Sequence, residues 1–237
     1  MSNMLQEDFV IAYEFFFEGE AIGEHKIHLR PLEPTGCVDA APAWTRLEAN
    51  KCRHCPLSTS EAPNCPFALA LVGPVAMLSK LASYETVDVI VRWRNREIRQ
   101  RTTLQRAAGS LLGAIGPTSG CPSTAPLKAM AWFHWPFSSS DETIYRSLGT
   151  YLLAQFLKQK RGMAPDWALT GLREVYRNLR LVNLAMAARL RAAAEEDSSV
   201  NGLILLDLLA ADTLYSLDQY EGELDAFFQE HLQPPAD

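Results

Sequence analysis

What this chain lacks narrows it first. No apolar run reaches the roughly 20 residues that a membrane-spanning helix needs, and Met1 to Asp8 carries acids where a basic-then-apolar leader would stand. The expectation is a soluble cytoplasmic protein with no membrane partner, in a compartment where thiols stay reduced. Positive charge is also short. Twenty-two Lys and Arg against 28 Asp and Glu leave a net charge of −6, which disfavours nucleic acid, whose binding is driven by neutralising phosphates. Glycine-rich phosphate loops, H-E-x-x-H, G-x-S-x-G and dinucleotide fingerprints are all missing, so the common nucleotide, zinc-protease and serine-hydrolase chemistries have no signature here. Carboxylate clusters such as Glu195-Glu196-Asp197 fall in a turn, where solvent is the natural partner. Cysteine is scarce and odd in number, five in 237 residues, which argues against a disulfide framework.

Four of those five cysteines nevertheless form a pattern. Cys52 and Cys55 are two residues apart, Cys65 follows after nine more, and Cys121 comes far downstream. A C-x2-C pair bends the backbone so that both sulfurs address one ion, and two further thiolates complete a tetrahedron. Cys37 is the one left out. Zn2+ is the first expectation, because a thiolate-bound zinc needs no redox partner and supplies folding energy to a segment poor in core residues. A [4Fe-4S] cluster is the alternative: Cys55, Cys65 and Cys121 each precede a proline, as the fourth ligand does in bacterial ferredoxin patterns. His54, between the first two cysteines, is a substitute ligand that is expected to sit exposed instead.

Along the chain, Phe9 to Phe17 and His25 to Leu29 read as an antiparallel hairpin about Glu18-Gly19-Glu20. Pro31 and Pro34 end it, and residues 35–66 read as irregular. Phe67 to Leu81 reads as a buried helix that Pro74 kinks or breaks. Val87, Val89, Val91 and Trp93 alternate as a strand, Asn95-Arg96 makes a turn, and Glu97 to Thr102 returns. A helix from Leu104 to Ile115 follows, in which Gly109 and Gly113 give room for another backbone, and Gly116-Pro117 ends it. Ala125 to His134 forms a short helix. Ser139 and Glu142 form a capping box for a helix over about 141–160, and further amphipathic helices follow over about 166–194 and 200–230. Short connections between them predict an antiparallel bundle over 124–232.

The set Asn50-Lys51-Cys52-x-x-Cys55-Pro56-Leu57, Cys65-Pro66, Thr118-Ser119-Gly120-Cys121-Pro122 and Met130-x-x-Phe133-His134-x-Pro136-Phe137 resembles a family of bacterial proteins with no assigned activity. Glu142-Thr143-x-Tyr145-Arg146 and Tyr151-Leu152-Leu153-Ala154-Gln155 belong to the same resemblance, which spans most of the chain. It implies a soluble bacterial unit and marks Phe133-His134 and Tyr145-Arg146 for attention without giving them roles.

Two other constellations stand out. Cys121 and His134 have the residue types of a nucleophile and its base, although no third, orienting residue is evident and a histidine at a helix C-terminus is readily structural. Arg92, Arg94, Arg96, Arg99, Arg101 and Arg106 crowd one hairpin of an acidic chain. They form either a solvated edge or a docking surface for an acidic protein partner, for which Arg92, Arg94, Arg96 and Arg99 are the candidate residues; Arg92 and Arg94 are expected on one face. The reading is therefore an α+β protein. Residues 1–122 form antiparallel hairpins with a cysteine-rich metal-binding loop (Cys52, Cys55, Cys65, Cys121), and 123–237 a helical bundle, the two making one cooperative unit. Its expected role is a non-enzymatic interaction or regulatory module, with an iron–sulfur redox or sensor protein as the alternative and a cysteine-based thiol enzyme third.

Overall fold

The structure, a computed structural model, describes residues 9–30, 41–191, 210, 211, 213–215, 217, 218, 222 and 224–233. The chain begins with strand β1 (Val10–Phe17), whose alternation buries Ile11, Tyr13 and Phe15 on one face. Glu18 (φ 51°) and Gly19 (φ 86°) make the left-handed two-residue turn that suits strand twist, and β2 (Glu20–His28) returns. Strands β3 (Thr86–Trp93) and β4 (Arg96–Thr103) form the second hairpin. The sheet is antiparallel throughout, in the order β2-β1-β3-β4. The inward residues of β1 and β3 meet α1 (Pro66–Leu78) and α2 (Leu104–Thr118), which pack on each other and on the sheet to enclose the main core.

The second hairpin corrects the turn by one residue. Arg94 takes φ 53° and turns with Asn95, so Arg96 already opens β4 and pairs with Trp93. Arg92 and Arg94 therefore do not share a strand face, because the second is in the turn. Pro74 does not break the helix: it lies inside α1 and is itself buried. Past Gly116-Pro117, α2 continues to Thr118, and hydroxyls cap the carbonyls of its last turn. Thr118 Oγ1 donates to Ala114 O (3.2 Å) and Ile115 O (3.0 Å), and Ser119 Oγ to Gly116 O (2.7 Å). The chain also comes close at Gly116, where a Cβ would stand 3.4 Å from the Phe67 ring.

A 3-10 turn (Ala125–Leu127) leads into the short α3 (Lys128–Trp132). The capping box at Ser139 and Glu142 forms as read and opens α4 (Ser140–Lys160). Helix α5 (Thr170–Arg191) begins four residues later than the periodicity suggested. Asp166 supplies the reason: its carboxylate accepts from Gly171 N–H and from the Tyr151 hydroxyl (both 2.7 Å), and its own N–H donates to Gln155 Oε1 (2.9 Å). This carboxylate ties the loop to α4 before the helix can start.

The full-length antiparallel bundle is not seen among the described residues. Leu148 and Tyr151 of α4 and Leu172, Tyr176 and Leu179 of α5 share a small second core with Ala210, Leu214 and Leu217, whereas Leu153, Phe156 and Leu157 of α4 stay exposed. The other half of α5 leaves this core and places Val182, Met186, Ala187 and Leu190 in the main one. The helix expected over about 200–230 does not run unbroken: Gly222 has φ 96°, and a 3-10 turn (Asp225–Phe227) precedes the short α6 (Gln229–Leu232). Cys37, Pro31, Pro34 and the turn at 195–199 lie outside the described residues.

Candidate functional site

Three separate segments bring the four patterned cysteines into one neighbourhood. Cys55 N–H donates to Cys52 O (3.0 Å), closing the turn that C-x2-C spacing favours. Cys65 precedes α1 as its N-cap, where the backbone N–H groups of Ala68 and Phe67 act on its sulfur. Cys121 follows α2 and is clamped by its own carbonyl, which accepts from Thr124 N–H, Thr124 Oγ1 and Ala125 N–H, while Thr124 Oγ1 also reaches Gly116 O (2.6 Å). Cys65 and Cys121 are buried, and Cys52 and Cys55 pack against the main core. All four are free thiols. Burial pushes the Cys52 thiol up to about 12, with Cys65, Cys121 and Cys55 each adding to the rise through space. Burial likewise raises Cys65.

The loop that carries the first two cysteines is braced at both ends. Leu47 N–H donates to Pro63 O (2.9 Å) and Cys65 N–H to Thr45 O (2.7 Å), and Thr45 Oγ1 reaches Asn64 Oδ1 (3.1 Å). Between them, Glu61 closes a turn by accepting from Ser58 N–H (2.9 Å) and Ser58 Oγ (2.6 Å). The segment from 41 to 65 is thus more tightly knit than its composition indicated.

Arg189 is the residue that pattern reading missed. It is 1% exposed, and its guanidinium donates to three carbonyls, Trp44 O (2.9 Å), Arg46 O (2.6 Å) and Leu47 O (2.8 Å). Its charge acts on both Cys52 and Cys65. The signal was present in the sequence: Arg189 follows Val182 and Met186 at seven and three residues, on the stripe that enters the core. His54 departs from expectation too. Both its ring nitrogens are buried and have no hydrogen-bond partner.

A preformed tetrahedron is absent. Among the described residues, no three His, Cys, Asp or Glu side chains are set as a ready-made metal site. Neutral thiols have no attraction that draws sulfur atoms to ligand spacing, so the cysteines are neighbours without being coordinated.

The Cys121–His134 couple does not form. His134 Nε2 is hydrogen-bonded to Tyr13 OH (2.5 Å), whose oxygen also meets Ser110 Oγ (2.8 Å), and Ser110 Oγ accepts from Phe137 N–H (3.0 Å). This network ties β1, α2 and the 133–137 loop together, with Phe137 at φ 60°. Burial, and then the nearby Arg146 guanidinium, push His134 down to about 3, so its ring is neutral. Arg146 donates to Ser138 Oγ (3.0 Å), Met130 O (2.9 Å) and Phe133 O (3.4 Å). Both residues line a cavity of about 470 Å³ between α2, the 127–140 segment, α4 and α5.

Three arginines of the hairpin are paired with carboxylates. Arg92 pairs with Glu14 and Glu97, Arg99 with Glu97 (2.7 Å) and Arg101 with Asp88 (4.0 Å). Arg94 and Arg96 lie over the Trp93 ring, 4.4 and 5.8 Å from its centroid.

A family model described as "Domain of unknown function (DUF6901)" matches residues 11–229. No curated protein and no solved structure matches the chain. No helix among the described residues is long and apolar enough to cross a membrane.

Proposed function

We propose that this chain, which belongs to that family of domains of unknown function, is a metal-stabilised interaction or regulatory module in which Cys52, Cys55, Cys65 and Cys121 bind one zinc ion. The observation that carries the reading is the meeting of four free thiols from three segments beside the buried Arg189. A buried guanidinium bonded only to carbonyls still lacks a counter-charge, and among the described residues no carboxylate pairs with it. Four thiolates around a divalent ion carry a net charge of two minus, which supplies that counter-charge within the core. The four thiolates would hold the ion, which would supply a charged cross-link between their segments. The turn at Cys52–Cys55 and the N–H groups aimed at Cys65 favour the charged, ligated form.

The ion then acts as a staple. It fastens the 52–65 loop to the ends of α1 and α2, the two helices that cover the sheet. Arg189, from α5, carries the connection into the helical half, so residues 1–122 and 123–237 act as one cooperative unit. The His134–Tyr13 bond gives Cys121 no base, which favours binding over thiol catalysis.

The test is limited proteolysis of protein purified without oxygen, with chelator, with dithionite and with neither, alongside its absorption spectrum. Zinc predicts a colourless sample, cutting within the cysteine loop after chelation, and no dithionite effect. A band near roughly 400 nm that dithionite bleaches reversibly would replace zinc with an iron–sulfur cluster. Unchanged cutting after chelation of a colourless protein would remove the metal altogether.

A further inference from the structure

The cavity beside His134 is walled mainly by apolar side chains, among them Phe67, Leu112, Met130, Phe137 and Leu179. Its volume, about 470 Å³, falls in the range of small-molecule sites. Polar groups break the apolar lining: Arg106 and several hydroxyls, and, less exposed than Arg106, the donors Asn183 and Arg146. Asn183, on the inner face of α5, is only 2% exposed, and its amide nitrogen has no hydrogen-bond partner among the described residues. A buried unsatisfied amide costs stability unless an acceptor arrives. Arg146 is the second. Its guanidinium is partly buried and bonded to a hydroxyl and two carbonyls, not to a carboxylate. Glu142 acts on it through space, but its carboxylate is taken by Ser139 N–H (2.8 Å) in the capping box. Ser110 and His134, also in the lining, are both satisfied by the Tyr13 hydroxyl.

The unmet requirements thus have one chemistry, an acceptor bearing negative charge for Arg146 and Asn183, joined to an apolar body that fills the rest of the space. We infer that this cavity is a binding site for a small organic carboxylate with an apolar body, held at its charged end by Arg146 and Asn183. Of the two arginines in the lining, Arg106 and Arg146, Arg146 is the less exposed, and it matches one negative charge. The wall residues Phe67 and Thr124 lie two and three positions after Cys65 and Cys121, so the site adjoins the thiol cluster without sharing a residue with it.

Titration calorimetry of the full chain tests this with decanoate, decanol and inorganic phosphate as probes. Decanoate is expected to bind at least tenfold more tightly than decanol, and phosphate not measurably. Asn183→Leu removes a donor that makes no bond in the free protein, so it is expected to fold normally and to weaken decanoate at least tenfold. Arg146→Gln is expected to act in the same direction; should it fail to fold, Asn183→Leu carries the test. Equal binding of decanoate and decanol overturns the proposal. So does undiminished binding by Asn183→Leu, binding of phosphate in preference to decanoate, or no decanoate binding up to its solubility limit.

Discussion

At the scale of single residues, the account turns on two buried groups whose charge states differ. His134 is held neutral against Tyr13, with Arg146 nearby and its pKa lowered from 6.5 to about 3. The unfolded chain therefore takes up this proton first. The contribution to stability is complete above pH about 6.5 and is lost progressively as the pH falls toward 3. Tyr13 and Arg146 keep one charge state across that range. Melting temperatures measured between about pH 7.5 and about pH 4.5 are expected to fall less steeply for His134→Gln than for the native chain; parallel curves would contradict the assignment. Arg189 is the second, a guanidinium held by three backbone carbonyls. Arg189→Met removes a donor from three carbonyls, of which Arg46 O keeps another in Ala49 N–H, and is expected to cost about 3 kcal/mol in urea unfolding, with Arg189→Lys intermediate because it keeps the charge and loses the fork. Native stability in Arg189→Met would mean that water replaces the guanidinium without loss.

At the scale of elements, the strands and helices follow from local pattern, and the departures have local causes. Alternating Val87, Val89, Val91 and Trp93 and the spacing of Leu104, Leu111 and Ile115 sufficed to place β3 and α2. The hairpin turn slipped by one because Arg94, a residue with no special turn preference, takes the left-handed position. The start of α5 was misplaced because periodicity does not register the Asp166 carboxylate that holds the preceding loop. Two predictions belong here. Ser139→Ala removes the side-chain acceptor for Glu142 N–H and is expected to destabilise by about 1 kcal/mol. The triple change of Arg94, Arg96 and Arg99 to Gln touches only exposed charges and ring contacts, so thermal unfolding is expected to shift by no more than about 3 °C. A larger fall would show that the hairpin charges support the sheet.

At the scale of the whole molecule, cysteine spacing singled out four residues but not what surrounds them. Spacing picked out Cys52, Cys55, Cys65 and Cys121, and the fold brings them together. What spacing does not carry is the three-dimensional setting: Arg189 arrives from 124 residues beyond Cys65, and the cavity forms between helices whose apolar stripes read as ordinary core. The proposed staple has a consequence for the whole chain, because it is the point where the loop, the ends of α1 and α2, and α5 converge. The most direct measurement is metal content per chain in the native protein and in five single variants, each patterned cysteine to Ser and Cys37→Ser. The account predicts one zinc per chain in the native protein and in Cys37→Ser, and loss of it in each of the other four. Retention of zinc by Cys121→Ser, or a native protein that binds no metal, would contradict it.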